Sequence, residues 1–131
     1  MPKKDELDDI DFEIAFYEGV VEKNGDFLEA LMALGDIYTK KGLYAKGLEI
    51  DKKLVKLRPE DPYVLYNLAC SYSLVNDIDH AFQVVKMAVE AGYDDFDHLE
   101  NDHDLDNLKH DQRFTHYLSQ VKVRGQSNET E

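Results

Sequence analysis

Tryptophan is absent from this chain, cysteine occurs once, at Cys70, and proline only three times. A single cysteine excludes an intramolecular disulfide and any paired-cysteine zinc site, and it is consistent with a reducing compartment. No apolar run approaches the ~20 residues needed to cross a bilayer, and the opening "MPKKDELDDIDFE" turns acidic where a secretory leader turns apolar. A cytoplasmic protein is therefore expected. Positive charge is also scarce: 15 Lys and Arg face 28 Asp and Glu, a net charge of −13. Nucleic acid and anionic membranes are bound through clustered Lys and Arg, so neither is an expected partner. Also missing are GxSxG, HExxH, phosphate-loop and dinucleotide fingerprints, so no enzymatic chemistry and no cofactor are expected.

What is present is enough apolar material for a core, 43% of 131 residues, in the length of one domain. The charge is unevenly spread. Residues 1–26 carry three Lys against nine acids and residues 93–116 one Lys and one Arg against eight acids. Residues 27–61 carry seven bases against six acids, so a weakly basic middle lies between acidic ends.

The chain also repeats itself. "LMALGDIYTKKGL" at 31–43 returns as "LYNLACSYSLVND" at 65–77, a period of 34 residues. The shift pairs Leu31 with Leu65, Leu34 with Leu68, Gly35 with Ala69, Tyr38 with Tyr72, Gly42 with Asn76 and Gly47 with Ala81. A backward shift adds threefold matches such as Ile10, Tyr44, Ile78 and Ile14, Leu48, Phe82. Apolar spacing within each unit is helical: Leu28, Leu31, Leu34 and Tyr38 share one face, and Gly47, Ile50, Leu54 and Leu57 another. Gly42 and Asn76 tolerate the left-handed conformation that closes a helix. Pro59 and Pro62 bracket the next boundary, and Pro62 suits a first helical turn.

The pattern Leu31-x-x-Leu34-Gly35-x-x-Tyr38, then Gly47 and Pro59, resembles a tetratricopeptide repeat, and Leu65-x-x-Leu68-Ala69-x-x-Tyr72 with Ala81 resembles a second. The resemblance covers about residues 10–122. It implies an all-α, right-handed superhelix of antiparallel hairpins, with about six to seven helices. On that reading residues 1–9 are a flexible acidic N-terminus and 10–26 the second half of a repeat. Residues 27–61 and 62–95 are two full units, 96–123 a degenerate cap, and 124–131 a disordered tail. Departures from the pattern are Leu31 and Leu65 in place of an aromatic, Asp51 in place of a large apolar residue, and Tyr93 in place of proline. In the third unit Asp102 and Asp106 occupy positions held by Leu68 and Tyr72 one unit earlier. Its text resembles a closing segment of short helices found in bacterial members of the family.

First helices of such units line a concave side, and the residues there that packing leaves free are candidates for binding. They are Glu29, Met32, Ala33, Asp36 and Lys40 in the first unit, and Tyr63, Tyr66, Asn67, Cys70 and Leu74 in the second. Tyr63 and Tyr66 are expected to be exposed, and Tyr66 to matter for binding more than for stability. With Asp97 and Glu100 the surface would favour a protein or peptide segment carrying Lys, Arg or aromatic residues. The resemblance does not extend to members that clamp a terminal carboxylate with Lys, Asn and Arg. At those positions stand Met32, Asp36, Asn67, Asp97 and Asn101, of which Asn67 alone matches. The expected function is a non-catalytic adaptor or scaffold.

Three alternatives accompany it. Small acidic secretion chaperones of the same repeat fold are similar in size and charge. An exposed end hairpin could stack on a second copy. A metal could sit among Asp102, His103, Asp106 and His110 in the segment that also holds His98 and His116. Asp102, Asp104 and Asp106 resemble the start of a calcium loop, but Asn107 and Arg113 stand where it needs Gly and Glu. An acidic cap burying Leu99, Leu105, Leu108, Phe114 and Leu118 accounts for the segment more simply. Cys70, inside a helix and next to the packing residue Ala69, reads as a semi-buried thiol.

Overall fold

The computed structural model describes the backbone of residues 4–129 and the side chains of 9–124. Among the described residues it is helical throughout, with no strand: α1 (Lys4–Lys23), α2 (Leu28–Lys40), α3 (Tyr44–Leu57), α4 (Pro62–Leu74), α5 (Ile78–Glu90), α6 (Phe96–Asn101), a 3-10 turn (His103–Leu105), α7 (Asp106–Lys109) and α8 (Gln112–Glu129). Each long helix from α1 to α5 packs on the next in the chain.

Local chemistry sets the ends of these helices. The chain closes α2, α4 and α5 by one device. Leu43 N–H donates to Tyr38 O at 2.8 Å and Gly42 N–H to Thr39 O at 3.0 Å; Asp77 to Tyr72 and Asn76 to Ser73 repeat the pair, as do Tyr93 to Ala88 and Gly92 to Val89. This pair of bonds satisfies carbonyls that the helix leaves orphaned, and it requires a left-handed residue. Gly42 (φ 83°), Asn76 (φ 63°) and Gly92 (φ 118°) supply it, the first two as their positions predict. The starts of α4, α5 and α6 are capped by aspartate. Asp61 accepts from Tyr63 and Val64 N–H ahead of Pro62, while Asp77 and Asp95 accept from His80 and His98 N–H.

The small residues lie where helices come close. A β-carbon on Gly35 would meet Ile50 Cγ2 at 3.1 Å and Asp51 Oδ1 at 3.3 Å, and one on Gly47 would meet Thr39 Oγ1 at 3.1 Å. Ala69 and Ala81 are wholly buried at the matching places. The core runs in three clusters: Ile14 with Leu34, Ile37 and Tyr38 between α1 and α2; Leu31, Leu54 and Val64 among α2, α3 and α4; and a larger group in which Leu65, Leu68, Val84 and Val85 meet Leu99, Leu105, Leu108 and Phe114. Leu118 is partly buried against this last group.

Three expectations need correction. Helix α1 begins at Lys4, so residues 4–9 are helical where a flexible terminus was expected; residues 1–3 lie outside the described ones. Helix α8 continues to Glu129 through most of the expected tail, because nothing from Gln112 onward breaks a helix except Gly125. The described residues also form eight α-helices rather than six or seven. Asp95 and Asp102 each cap a new short element, which divides the third unit into α6, the 3-10 turn, α7 and α8.

Phe114 carries α8 into the largest cluster, where it is 2% exposed. Phe114→Ala should lower stability by roughly 3–5 kcal/mol in urea unfolding. A loss below about 1 kcal/mol would mean that α8 contributes little to the fold.

Candidate functional site

Sequence patterning places Met32, Asp36, Tyr66, Asn67, Cys70 and Leu74 on the free side of first helices, and all six surround a single concavity of about 470 Å³. Helix α2 supplies Met32, Gly35, Asp36 and Thr39, α3 supplies Asp51 and Leu54, and α4 supplies Val64, Ser71 and the four residues already named. His98, Asp102 and Asp104 close the far side from the C-terminal segment. Glu29 and Tyr63 lie outside the concavity, both exposed on their helices.

Tyr66 corrects the expectation of an exposed ring. It is only 5% exposed, stacked on Tyr93 with ring centroids 4.3 Å apart and planes 3° from parallel. Tyr63, 66% exposed, sets its ring against the same Tyr93 edge-to-face at 5.8 Å. The hydroxyl of Tyr66 donates to Asp102 Oδ2 at 2.6 Å. Tyr93 stands where the repeat pattern has proline, and this stacking is what the departure accomplishes. Cys70 is buried as well, with its thiol 3.8 Å from the same carboxylate oxygen.

Asp102 joins these groups. Its Oδ2 receives Tyr66 and lies 3.3 Å from His98 Nε2, and its Oδ1 accepts Asp104 N–H at 3.0 Å, capping the 3-10 turn. Lys109 Nζ donates to the Asp102 carbonyl at 2.8 Å. Next along the segment, Asn107 donates to Ser73 O and Leu108 N–H to Ser73 Oγ, which fastens α7 to the end of α4.

The second acidic departure from the pattern, Asp51, is 7% exposed and receives the hydroxyl of Ser71. Burial, opposed by that hydrogen bond and reinforced by the charge of Asp36, pushes its carboxyl up to about 6. Asp104 is shifted upward by burial and by Asp102, Asp106 and Asp36. Burial, then Cys70 and the bond to Asp102, push the Tyr66 phenol far above its ordinary range, and Tyr93 is held at about 12, chiefly by burial. The concavity therefore has a negative interior: Asp36, Asp51, Asp102 and Asp104 line it, and among the described residues no Lys or Arg does.

The structure does not bring Asp102, His103, Asp106 and His110 together. The backbone turns between them, so Asp102 faces α4 while His103 faces solvent and pairs with Asp106 at 3.2 Å. His110 lies on another depression, with Asp77, Asp79 and Arg113. Ligand atoms of Cys70, Asp102 and Asp104 do fall within 4.8 Å of one another. The bonds to Asp102 already engage its oxygens, and burial with two adjacent carboxylates pushes the Cys70 thiol well up. Their arrangement serves as a hydrogen-bonded junction.

Two of these residues give direct tests. Tyr66→Ala should cost roughly 3–5 kcal/mol of stability by denaturant unfolding, because it empties a stacked, buried ring site and leaves Asp102 short of a donor. A change under about 1 kcal/mol would return Tyr66 to the exposed role its sequence position suggests. For Asp51 the folded value lies above the unfolded one, so its contribution favours folding below about pH 4 and is lost as pH rises through about 6. Asp51→Asn should thus raise the melting temperature at about pH 8 by more than at about pH 4. An equal shift at both values would place the carboxyl in water.

No family model matches the chain. It is 33% identical over 86 residues to a chloroplastic protein of Arabidopsis thaliana, a stretch amounting to 63% of this chain. The matched stretch is 26% of that protein, so the chain spans about a quarter of the length of the curated relative it matches.

Proposed function

We propose that this chain is a tetratricopeptide-like, right-handed superhelical adaptor that binds a segment of another protein in its concavity, through a Lys or Arg side chain of that segment. The observation that carries the reading is the lining of the concavity. Residues from the first helices of two successive repeats meet the C-terminal segment around four carboxylates, with Leu54, Val64 and Leu74 among them and, of the described residues, no Lys or Arg inside.

Magnitudes favour the inner acids over the rim. One carboxylate about 5 Å from a cation contributes roughly 3 kcal/mol at an effective dielectric of 20, before desolvation is subtracted. Asp36 is largely exposed and already pairs with Lys40 at 3.0 Å, an arrangement worth little on a surface. Asp51, Asp102 and Asp104 are more enclosed, and the upward shifts at Asp51 and Asp104 reflect how unfavourable an unrelieved negative charge is there. A bound ammonium or guanidinium would relieve it, and binding near pH 6 would release a proton from Asp51. Met32, 46% exposed at the mouth, offers adaptable apolar contact beside the charge.

A synthetic peptide array tests this. The wild-type chain should retain segments enriched in Lys or Arg next to apolar residues, increasingly so at low salt. The Met32→Lys, Asp36→Lys variant changes only exposed side chains and sets two ammonium groups at the mouth, so it should keep its helical circular dichroism and lose those segments by about tenfold or more. Equal retention by both proteins, or no enrichment of cationic segments, would remove the reading.

A further inference from the structure

The outer face of α1 has a composition that no packing among the described residues explains. At about 100° per residue, Ile10, Ile14, Tyr17 and Val21 form the side packed on α2. Diametrically opposite stand Phe12, Phe16 and Gly19. Phe12 is 73% exposed and Phe16 57%, the most exposed phenylalanines among the described residues. Two phenyl rings one helical turn apart and facing water form a continuous apolar ridge rather than scattered surface residues. Ala15 extends it on one side.

Gly19 is the second, independent observation. A helix-interior glycine weakens the helix relative to alanine. At Gly35 and Gly47 a crossing helix accounts for it, since a β-carbon there would collide with Ile50 or Thr39. At Gly19 a β-carbon would meet nothing within 4 Å, so no described neighbour inside this chain requires the missing side chain. A backbone left bare beside two aromatic rings is suited to close approach by another helix from outside.

Charge identifies the kind of helix. Asp9 and Glu13 flank the ridge on one side and Glu22 on the other, all exposed, and Lys23 is the base at its C-terminal end. We infer that Phe12, Phe16 and Gly19 of α1 form a docking face for a basic amphipathic helix of a partner protein, its apolar stripe on the phenyl rings and its Lys or Arg residues on the acidic margins. A second copy of this chain fits less well. Two α1 faces would set acids against acids, and neither net-basic helix of the chain matches the face. Helix α3 exposes Lys46 and Lys56 with Tyr44 as its one large exposed apolar residue. Among the described residues of α8 only Val123 is a large exposed apolar one, and two of its three bases, Arg113 and Lys122, are already paired with Asp79, Asp111 and Glu100. The margins would also repel an anionic lipid surface. No described residue of α1 lines the concavity, so this face is separate from the one proposed above.

The probe is a synthetic amphipathic peptide with leucines on one helical face and lysines along its edges, compared by fluorescence anisotropy with the same peptide carrying glutamates. The wild-type chain should bind the lysine peptide and not the glutamate one. Phe12→Ala, Phe16→Ala should weaken binding about tenfold or more, since exposed anchors are removed and the helix former alanine replaces them. Gly19→Leu should weaken it similarly by blocking approach while preserving helical circular dichroism. The Met32→Lys, Asp36→Lys variant should bind the peptide as the wild type does; loss there instead would assign the peptide to the concavity and overturn the inference. So would absence of binding, equal binding of both peptides, an unchanged affinity in the two α1 variants, or sedimentation of the wild type as a dimer that Phe12→Ala, Phe16→Ala dissociates.

Discussion

The carboxylate of Asp102 is the group on which the C-terminal half of the molecule depends. A half-buried anion must be surrounded by donors, and here they come from two separate parts of the chain: the Tyr66 hydroxyl on α4, and His98 and Asp104 N–H around it in the C-terminal segment. These bonds hold the third unit across the end of α4 instead of letting it continue as another hairpin. The stacking of Tyr66 on Tyr93, the burial of Cys70 and the closure of the concavity all follow from that fold-back. A polar junction inside a helical repeat is costly unless satisfied, and among the described residues no buried side-chain polar atom lacks a partner.

Asp51 is held in the same way on the other wall. Where the repeat pattern has a large apolar residue, this chain has a carboxylate bonded by Ser71, 20 residues away on the next helix. Asp51 and Asp102, both departures from the pattern, line the same concavity. A fold held together by apolar contacts on its packed faces thus carries its enclosed charge along the concavity rather than within those faces. That distribution separates the concavity, enclosed and anionic, from the outer face of α1, open and apolar with acidic margins. The partners proposed for the two surfaces differ accordingly, a single cationic side chain in one case and a helix in the other.

Much of the architecture was legible because it rests on short-range chemistry. Periodicity at 34 residues marked α2 to α5, Gly42 and Asn76 marked two helix ends, and Gly35, Ala69, Gly47 and Ala81 marked the close crossings. Six of the candidate concave residues do meet in one place. The failures share a cause. Tyr66 occupies a free position in the repeat register, and only the return of residues 93–104 over α4 buries it. The metal set failed likewise, since the residues from His103 to His110 look like two turns of one helix in sequence and are in fact a 3-10 turn, a short helix and a break. Tyr93 and Asp51 did announce themselves, as departures from the pattern, but a departure names no partner.

Taken by itself, the amino-acid sequence determined the helices, their caps, the residues that bring them into contact and the unequal distribution of charge, because each depends on neighbours within about one helical turn or on a fixed repeat. Tertiary structure alone decided which free residues are buried, which carboxylates share a cavity and which apolar face remains open. Those properties arise from contacts across 20 to 36 residues, such as Asp51 with Ser71 and Tyr66 with Asp102. Such contacts exist only once the chain has turned back upon itself, and no local pattern encodes them.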